Sequence, residues 1–184
     1  MNSLRYSILA VGTILWFLPF PIYYTRGAQG SLTKDYGARW GIVLECIAYS
    51  LLWQGRFWLT TPRAWQFALS VFLFVTAAVT SWTASIALGR YLRVDAALDS
   101  QHELIRSGPY RFVRNPIYAS MLCVLLATAL LVTPFWFFIA SLAVFLIGTT
   151  IRIRAEERLL AARFGEQFTA YRRSVSRLVP FVRL

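Results

Sequence analysis

The sequence predicts an all-α, multi-pass membrane protein with about five transmembrane helices, including a helical hairpin in the C-terminal half and a cytosolic amphipathic helix after it. Three observations predict this class. Of the 184 residues, 58% are hydrophobic, and the mean hydropathy is +0.54. Several apolar runs reach the roughly 20 residues that a spanning helix needs. The basic residues flank these runs and form no separate domain.

Five apolar runs define the predicted spans. They cover about residues 8–24, 41–59, 65–88, 116–132 and 135–151. The first three make up an N-terminal part, residues 1–88, and the last two belong to a second part, residues 89–184. Thr133-Pro134 supplies a tight turn between the last two spans, each of about 17 residues. These two spans are therefore predicted to form an antiparallel hairpin.

The first two spans carry irregular features. Pro19 and Pro21 are expected to kink or fray the end of the first span, which a membrane helix tolerates when neighbours satisfy the freed carbonyls. The second span has Glu45 near one end and Arg56 near the other. For these two charges we expect snorkelling or pairing at the membrane interface.

The positive charge is distributed unevenly along the chain. The formal net charge is +11, and residues 89–115 together with the segment from Arg152 onward hold 13 of the 19 basic residues. The positive-inside rule places both stretches in the cytoplasm, with residues 25–40 on the same side. Because the basic residues flank the spans and form no separate domain, their distribution argues against a nucleic-acid partner. Eighteen arginines to one lysine favour a GC-rich genome, and the short chain favours a prokaryote. We therefore expect the protein in a bacterial inner membrane.

The cysteine and histidine content argues against a metal centre. Cys46 and Cys123 both fall inside apolar runs, where we expect buried thiols. There is one histidine, and no Cys/His cluster has metal-ligand spacing.

The polar C-terminal segment predicts a helix over Arg152–Arg173, because its charged and apolar residues recur at helical spacing. Gly165 is expected to break or cap this helix, and a second short helix would then carry Phe168 and Tyr171. An alternative is an arginine-rich amphipathic helix resting on anionic lipid. The acids at 156 and 157 argue against that alternative.

The stretch Gln101–Tyr118 is the longest polar break between the two apolar halves. It holds His102 and two turn signals, Gly108-Pro109 and Asn115-Pro116. An imidazole, an amide, phenols and guanidinium groups are thus gathered at the edge of a bilayer. This composition predicts a site that holds a polar ligand next to an apolar one.

Two motifs in this half of the chain resemble a known family. H-x-L-x-x-x-G-P-Y-R-x-V-R-N-P-x-Y begins at His102, and R-x-x-x-E-E-x-x-L begins at Arg152, with a hydrophobic hairpin between them. The pattern resembles the isoprenylcysteine carboxyl methyltransferase family and its phospholipid methyltransferase relatives. The resemblance covers about residues 89–181.

The resemblance implies a membrane methyltransferase that uses S-adenosylmethionine, in a cytosolic pocket between the loop before the hairpin and the helix after it. A lipid-like or prenylated substrate would enter from the bilayer. The implied cofactor-binding residues are His102, Glu103, Leu104, Ile105, Tyr110, Asn115, Pro116, Ile117, Tyr118 and Glu156. Arg152 is the implied substrate-facing residue. The carboxyl methyltransferases have histidine where this chain has Asn115, which weakens the assignment to a prenylcysteine.

The acceptor stays open between two chemistries. A carboxylate acceptor, as in an isoprenylcysteine-like lipid, would be oriented by the fork of donors on Arg152. An amine acceptor, as in an ethanolamine phospholipid, must lose a proton, and Glu157 could act as the catalytic base. A non-catalytic lipid-binding membrane protein is a further alternative. In that case Arg152 would anchor the end of its span, and the tyrosines would belong to an aromatic belt.

Overall fold

The computed structural model describes residues 2–24, 32–56, 61–92, 97–99 and 103–180, and these form a bundle of α-helices. The helices are α1 (Asn2–Phe17), α2 (Pro19–Tyr24), α3 (Ala38–Leu51), α4 (Ala64–Leu88), α5 (Pro116–Val132), α6 (Phe135–Phe164) and α7 (Glu166–Ser174). Short 3-10 helices lie at Gly89–Tyr91 and Gly108–Arg111. The all-α class is confirmed.

Three of the helical stretches are long and apolar enough to cross a membrane by length and composition. They are Ser3–Tyr23, Ala64–Tyr91 and Phe135–Phe164, and α5 is a shorter apolar helix of 17 residues. The helix in the second predicted span, α3, has 14 residues and ends earlier than expected. Its last carbonyls accept side-chain hydrogen bonds, from Gln54 to Ser50 at 3.2 Å and from Thr133 to Leu52 at 2.8 Å.

The last predicted span and the predicted C-terminal helix are one continuous helix. The separate helix expected over Arg152–Arg173 is therefore wrong in its start, because α6 runs through Arg152 without a Gly or Pro after Gly148. At about 1.5 Å per residue, its 30 residues extend about 45 Å, which exceeds a hydrocarbon core of about 30 Å. Gly165 then ends the helix with φ 50°, and α7 carries Phe168 and Tyr171, as predicted.

Helix α5 is the centre of the bundle. One apolar cluster joins it to α1 and α4 through Leu9, Phe74 and Val124, and a second joins it to α3 and α6 through Ala48 and Phe145. The hairpin partners α5 and α6 make little contact, because α5 packs mainly on α4 and α6 mainly on α3.

The two cysteines differ in their burial. Cys46 is exposed on α3, so the expectation of a buried thiol is wrong there, and Cys123 is half-buried. Cys46 points away from the apolar cluster that α3 shares with its neighbours.

Two of the connecting loops meet at one end of the bundle. β1 (Leu32–Lys34) pairs antiparallel with β2 (Ala97–Asp99), with Thr33 opposite Leu98. The loops after α2 and after α4 therefore lie on the same side, together with the end of α6. This is the relative arrangement that the arginine distribution predicts.

Helices α3 and α6 approach each other closely at two glycines. A Cβ atom on Gly148 would lie 2.8 Å from the Gly41 carbonyl oxygen and 2.9 Å from Leu44 Cβ. A Cβ atom on Gly41 would lie 2.4 Å from Arg152 Cγ. Small residues allow such close packing between membrane helices, and here the contact places Arg152 directly against α3.

We predict that Gly148→Ala loosens this contact. The added methyl group overlaps the Gly41 carbonyl and costs about 1–3 kcal/mol of stability. The midpoint of thermal unfolding in detergent should fall. Ala143→Val adds bulk on the exposed face of the same helix and serves as the control. Equal midpoints for the two variants would contradict the packing role.

Candidate active site

A buried ion pair joins α3 to α6 near the polar end of the bundle. Arg152 Nη1 donates to Glu45 Oε2 at 2.7 Å, and Thr149 Oγ1 donates to Glu45 Oε1 at 3.1 Å. Glu45 is 3% exposed and Arg152 is 8% exposed. Glu45 therefore pairs, as the sequence suggests, but it does so between two helices and not at the outer surface.

Arg152 links this pair to two of the residues assigned to cofactor binding. Its guanidinium carbon lies 5.0 Å from the centroid of the Tyr118 ring, within cation–π range. The Tyr118 hydroxyl donates a short hydrogen bond to Glu156 Oε1. Because Arg152 and Glu156 are one turn apart on α6, the structure brings Glu45, Arg152, Tyr118 and Glu156 into one connected group.

A second group ties the loop before α5 to the C-terminal segment. Arg114 Nε donates to Glu157 Oε1 at 3.1 Å, and Arg114 Nη1 donates to the carbonyls of Arg172, at 2.8 Å, and Val175. The Arg114 amide also donates to the Ser176 carbonyl at 2.8 Å. Glu157 is thus held by an arginine of the loop, on a different side of α6 from the Glu156 contact.

Asn115 belongs to the same group of contacts between the loop before α5 and the C-terminal segment, which we call the clamp. It stands at the N-cap position of α5 without a capping hydrogen bond from its side chain. Its Nδ2 instead donates to the Arg177 carbonyl at 2.9 Å. Pro116 is buried in the first turn of α5, and Ile117 is half-buried beside it. These three residues position Tyr118 at the start of the helix.

Two buried tyrosines connect the loop before α5 to α7. The Tyr171 hydroxyl donates to the Tyr110 carbonyl at 2.7 Å. Burial raises the pKa of Tyr171 to about 12. Burial, followed by the charge of Glu156 and then Tyr171, raises the pKa of Tyr110 well above its usual value. Both phenols are therefore protonated at neutral pH.

A pocket of about 510 Å³ lies between this loop and the helices that follow α5. It is lined by Glu103, Leu104, Arg106, Phe164, Gln167 and Ala170. Arg106 Nη2 donates to the Gln167 carbonyl at 3.0 Å. Among the described residues, neither Tyr118 nor Glu156 lines this pocket. Ile105, which lies in the chain between two lining residues, is half-buried. His102 lies outside the described residues.

The sequence analysis assigned Glu45 no role in the site. It placed Arg114 in a motif but gave that arginine no role in the site either. An acid inside an apolar run is the signal that could have found Glu45, because such residues are costly in a membrane and usually face the bundle interior. The partner of Glu45 is 107 positions away, and the sequence alone does not name it.

The fold and the site together define a membrane protein with a polar, charge-rich site at one end of an apolar helical bundle. The chain belongs to the phospholipid methyltransferase family, whose model matches residues 65–167. This is a family of membrane methyltransferases that includes the isoprenylcysteine carboxyl methyltransferases, so the resemblance found in the sequence is confirmed. A comparison with curated proteins finds no match.

We predict that Arg114→Ala detaches the C-terminal segment from the loop. The variant leaves Glu157, a largely buried acid, without its closest partner, which should cost about 3 kcal/mol or more. Thermal unfolding should begin at a lower temperature, and the segment after α7 should be cut faster by protease. Arg111→Ala changes an exposed arginine of the same loop and is the control. Indistinguishable behaviour of the two variants would show that the clamp is dispensable.

Proposed function

We propose that the protein transfers a methyl group from S-adenosylmethionine to an acceptor carried by a lipid. Membership of the phospholipid methyltransferase family supports methyl transfer in a membrane. The observation that carries the proposal is the connected group of Glu156, Tyr118 and Arg152. This group lies towards the C-terminal end of α6, a helix that is longer than the hydrocarbon core of a bilayer is thick. The arginine distribution supports a cytoplasmic site in a bacterial inner membrane.

The side chains present supply the groups that this cofactor needs, some at Glu156 and others in the lining of the 510 Å³ pocket. Its ammonium group and ribose hydroxyls need acceptors, and the Glu156 carboxylate is one. Its carboxylate needs donors, and Arg106 lines the 510 Å³ pocket, which is of the size that small-molecule sites have. Leu104 and Phe164 line the same pocket and offer apolar contact to an adenine ring. His102, Tyr110 and the residues 115–118 keep the cofactor-binding roles that the resemblance implies.

The chain's contribution to the chemistry is mainly positional. When bound, the cofactor supplies an electrophilic methyl group on a positively charged sulfur. The protein holds donor and acceptor in line, which can contribute on the order of 7–11 kcal/mol to lowering the barrier. Packing of α5 among four helices and the clamp at Arg114 keep the lining residues in fixed positions.

A carboxylate of an isoprenylcysteine-like lipid is the first candidate acceptor. It follows from the resemblance and from the donor fork on Arg152, which would orient the carboxylate. In this assignment Arg152 contacts the substrate and Glu156 contacts the cofactor.

The amine of an ethanolamine phospholipid is the second candidate, and one observation favours it. Arg152 already donates to Glu45 at 2.7 Å, so part of its donor fork is used inside the protein. Glu45 and Glu156 place two acids around this one arginine, which suits a positively charged ligand better than an anionic one. An amine acceptor would release a proton, for which Glu157 is the proposed base.

We expect Glu156→Gln to weaken cofactor binding by about tenfold or more, because one unit of negative charge near a cation is removed. Titration calorimetry of the detergent-purified protein with S-adenosylmethionine measures this loss. Glu166→Gln removes an exposed acid from the start of α7 and should leave the affinity unchanged. If the wild type binds no cofactor, in detergent or in lipid nanodiscs, the non-catalytic lipid-binding alternative is favoured.

The acceptor is identified by the stability of the product. Purified protein in nanodiscs is supplied with methyl-labelled cofactor and with either phosphatidylethanolamine or a farnesylcysteine derivative. Methyl esters of carboxylates release labelled methanol in alkali, whereas methylated amines retain the label. We expect alkali-stable label in the phospholipid. Alkali-labile label in the farnesylcysteine would instead establish the carboxylate acceptor.

A further inference from the structure

Glu45 is a buried acid in an apolar helix, and both of its carboxylate oxygens are hydrogen-bonded. Its two carboxylate oxygens accept from two different residues of α6, Thr149 and Arg152. The close approach of Gly41 and Gly148 lies directly beside this contact, because a Cβ atom on Gly41 would lie 2.4 Å from Arg152 Cγ and one on Gly148 would lie 3.2 Å from the Glu45 backbone nitrogen. The interface is therefore shaped so that an acid of α3 reaches the arginine at the site.

The position of Arg152 depends on this acid. Its guanidinium lies over the Tyr118 ring, while Tyr118 donates to Glu156. Glu156 follows Arg152 by four residues, a spacing at which opposite charges on a helix can meet. Without Glu45, the guanidinium would lose its closest acid and could move nearer to Glu156, so that it compensates the Glu156 charge more fully.

Glu45 also lies outside the segment that the family match covers, which begins at residue 65. The resemblance found in the sequence likewise assigned its cofactor and substrate residues to the C-terminal half. The N-terminal helices thus contribute a charged side chain to a connected group whose members Tyr118, Arg152 and Glu156 lie in the matched segment.

We propose that Glu45 is a positioning residue of the active site: by pairing with Arg152 it holds the guanidinium on Tyr118 and leaves the Glu156 carboxylate available to a cationic ligand. The proposal rests on the proposed function, since the cationic ligand is S-adenosylmethionine. It assigns α3 a part in cofactor selection as well as in packing.

The test compares two ligands that differ in charge at the group assigned to Glu156. S-adenosylmethionine carries an ammonium and a sulfonium cation, whereas methylthioadenosine keeps the adenosine and carries neither. In Glu45→Gln, Arg152 compensates Glu156 more fully, so binding of S-adenosylmethionine should weaken about tenfold and binding of methylthioadenosine less than about threefold. Titration calorimetry on the full-length protein gives both affinities. A defect that is only structural would lower both by the same factor.

Ser141→Ala is the matched control, because Ser141 Oγ donates to the Ala48 carbonyl at 2.8 Å across the same α3–α6 interface without touching Arg152. Its ratio of the two affinities should equal that of the wild type. If Glu45→Gln does not fold, Glu45→Asp keeps the charge but withdraws it by one methylene, and should shift the ratio in the same direction by a smaller factor.

An unchanged ratio in the folded Glu45 variant would overturn the proposal and leave the proposed function standing. Failure of the wild type to bind either ligand would instead overturn the proposed function, and this proposal with it. The two failures are therefore distinguished by the wild-type titration.

Discussion

The buried pair between Glu45 and Arg152 is the interaction on which the rest of the structure depends. Removing two charges from water costs several kcal/mol for each ion, and only close geometry with further hydrogen bonds offsets this cost. Here Thr149 supplies the additional donor, and Tyr118 supplies an aromatic face for the cation. The pair therefore constrains the rotation of α6 against α3, and with it the direction in which Glu156 projects.

The remaining architecture keeps this pair near the edge of the apolar region. Because α5 packs on α4 while α6 packs on α3, the bundle consists of two helix pairs, and an apolar cluster joins α5 to the second pair. The loop before α5 is held by the C-terminal segment, because Arg114 and Asn115 donate hydrogen bonds to backbone carbonyls of that segment. Helix ends from both halves of the chain thereby meet around Tyr118.

The sequence predicted what depends on local pattern, and it missed what depends on distant contacts. Apolar runs located the spans, and Gly165 located the break before α7, because both features are fixed within a few residues. The continuity of α6 through Arg152 was missed, since a change to polar composition resembles a helix end when no neighbour is known. The partner of Glu45 lies on a helix far along the chain, and side-chain spacing within α3 carries no information about it.

The charge balance around Arg152 bears directly on the choice of acceptor. An arginine that faced a substrate carboxylate would gain most if its donors were unoccupied, because a bidentate contact uses two of them. In this chain one donor is already directed at Glu45, and a second acid, Glu156, stands one turn away. An anionic acceptor would enter a region in which acids outnumber this arginine, whereas a sulfonium or an ammonium would be stabilised there. The charge balance around Arg152 therefore favours a cationic ligand over an anionic one.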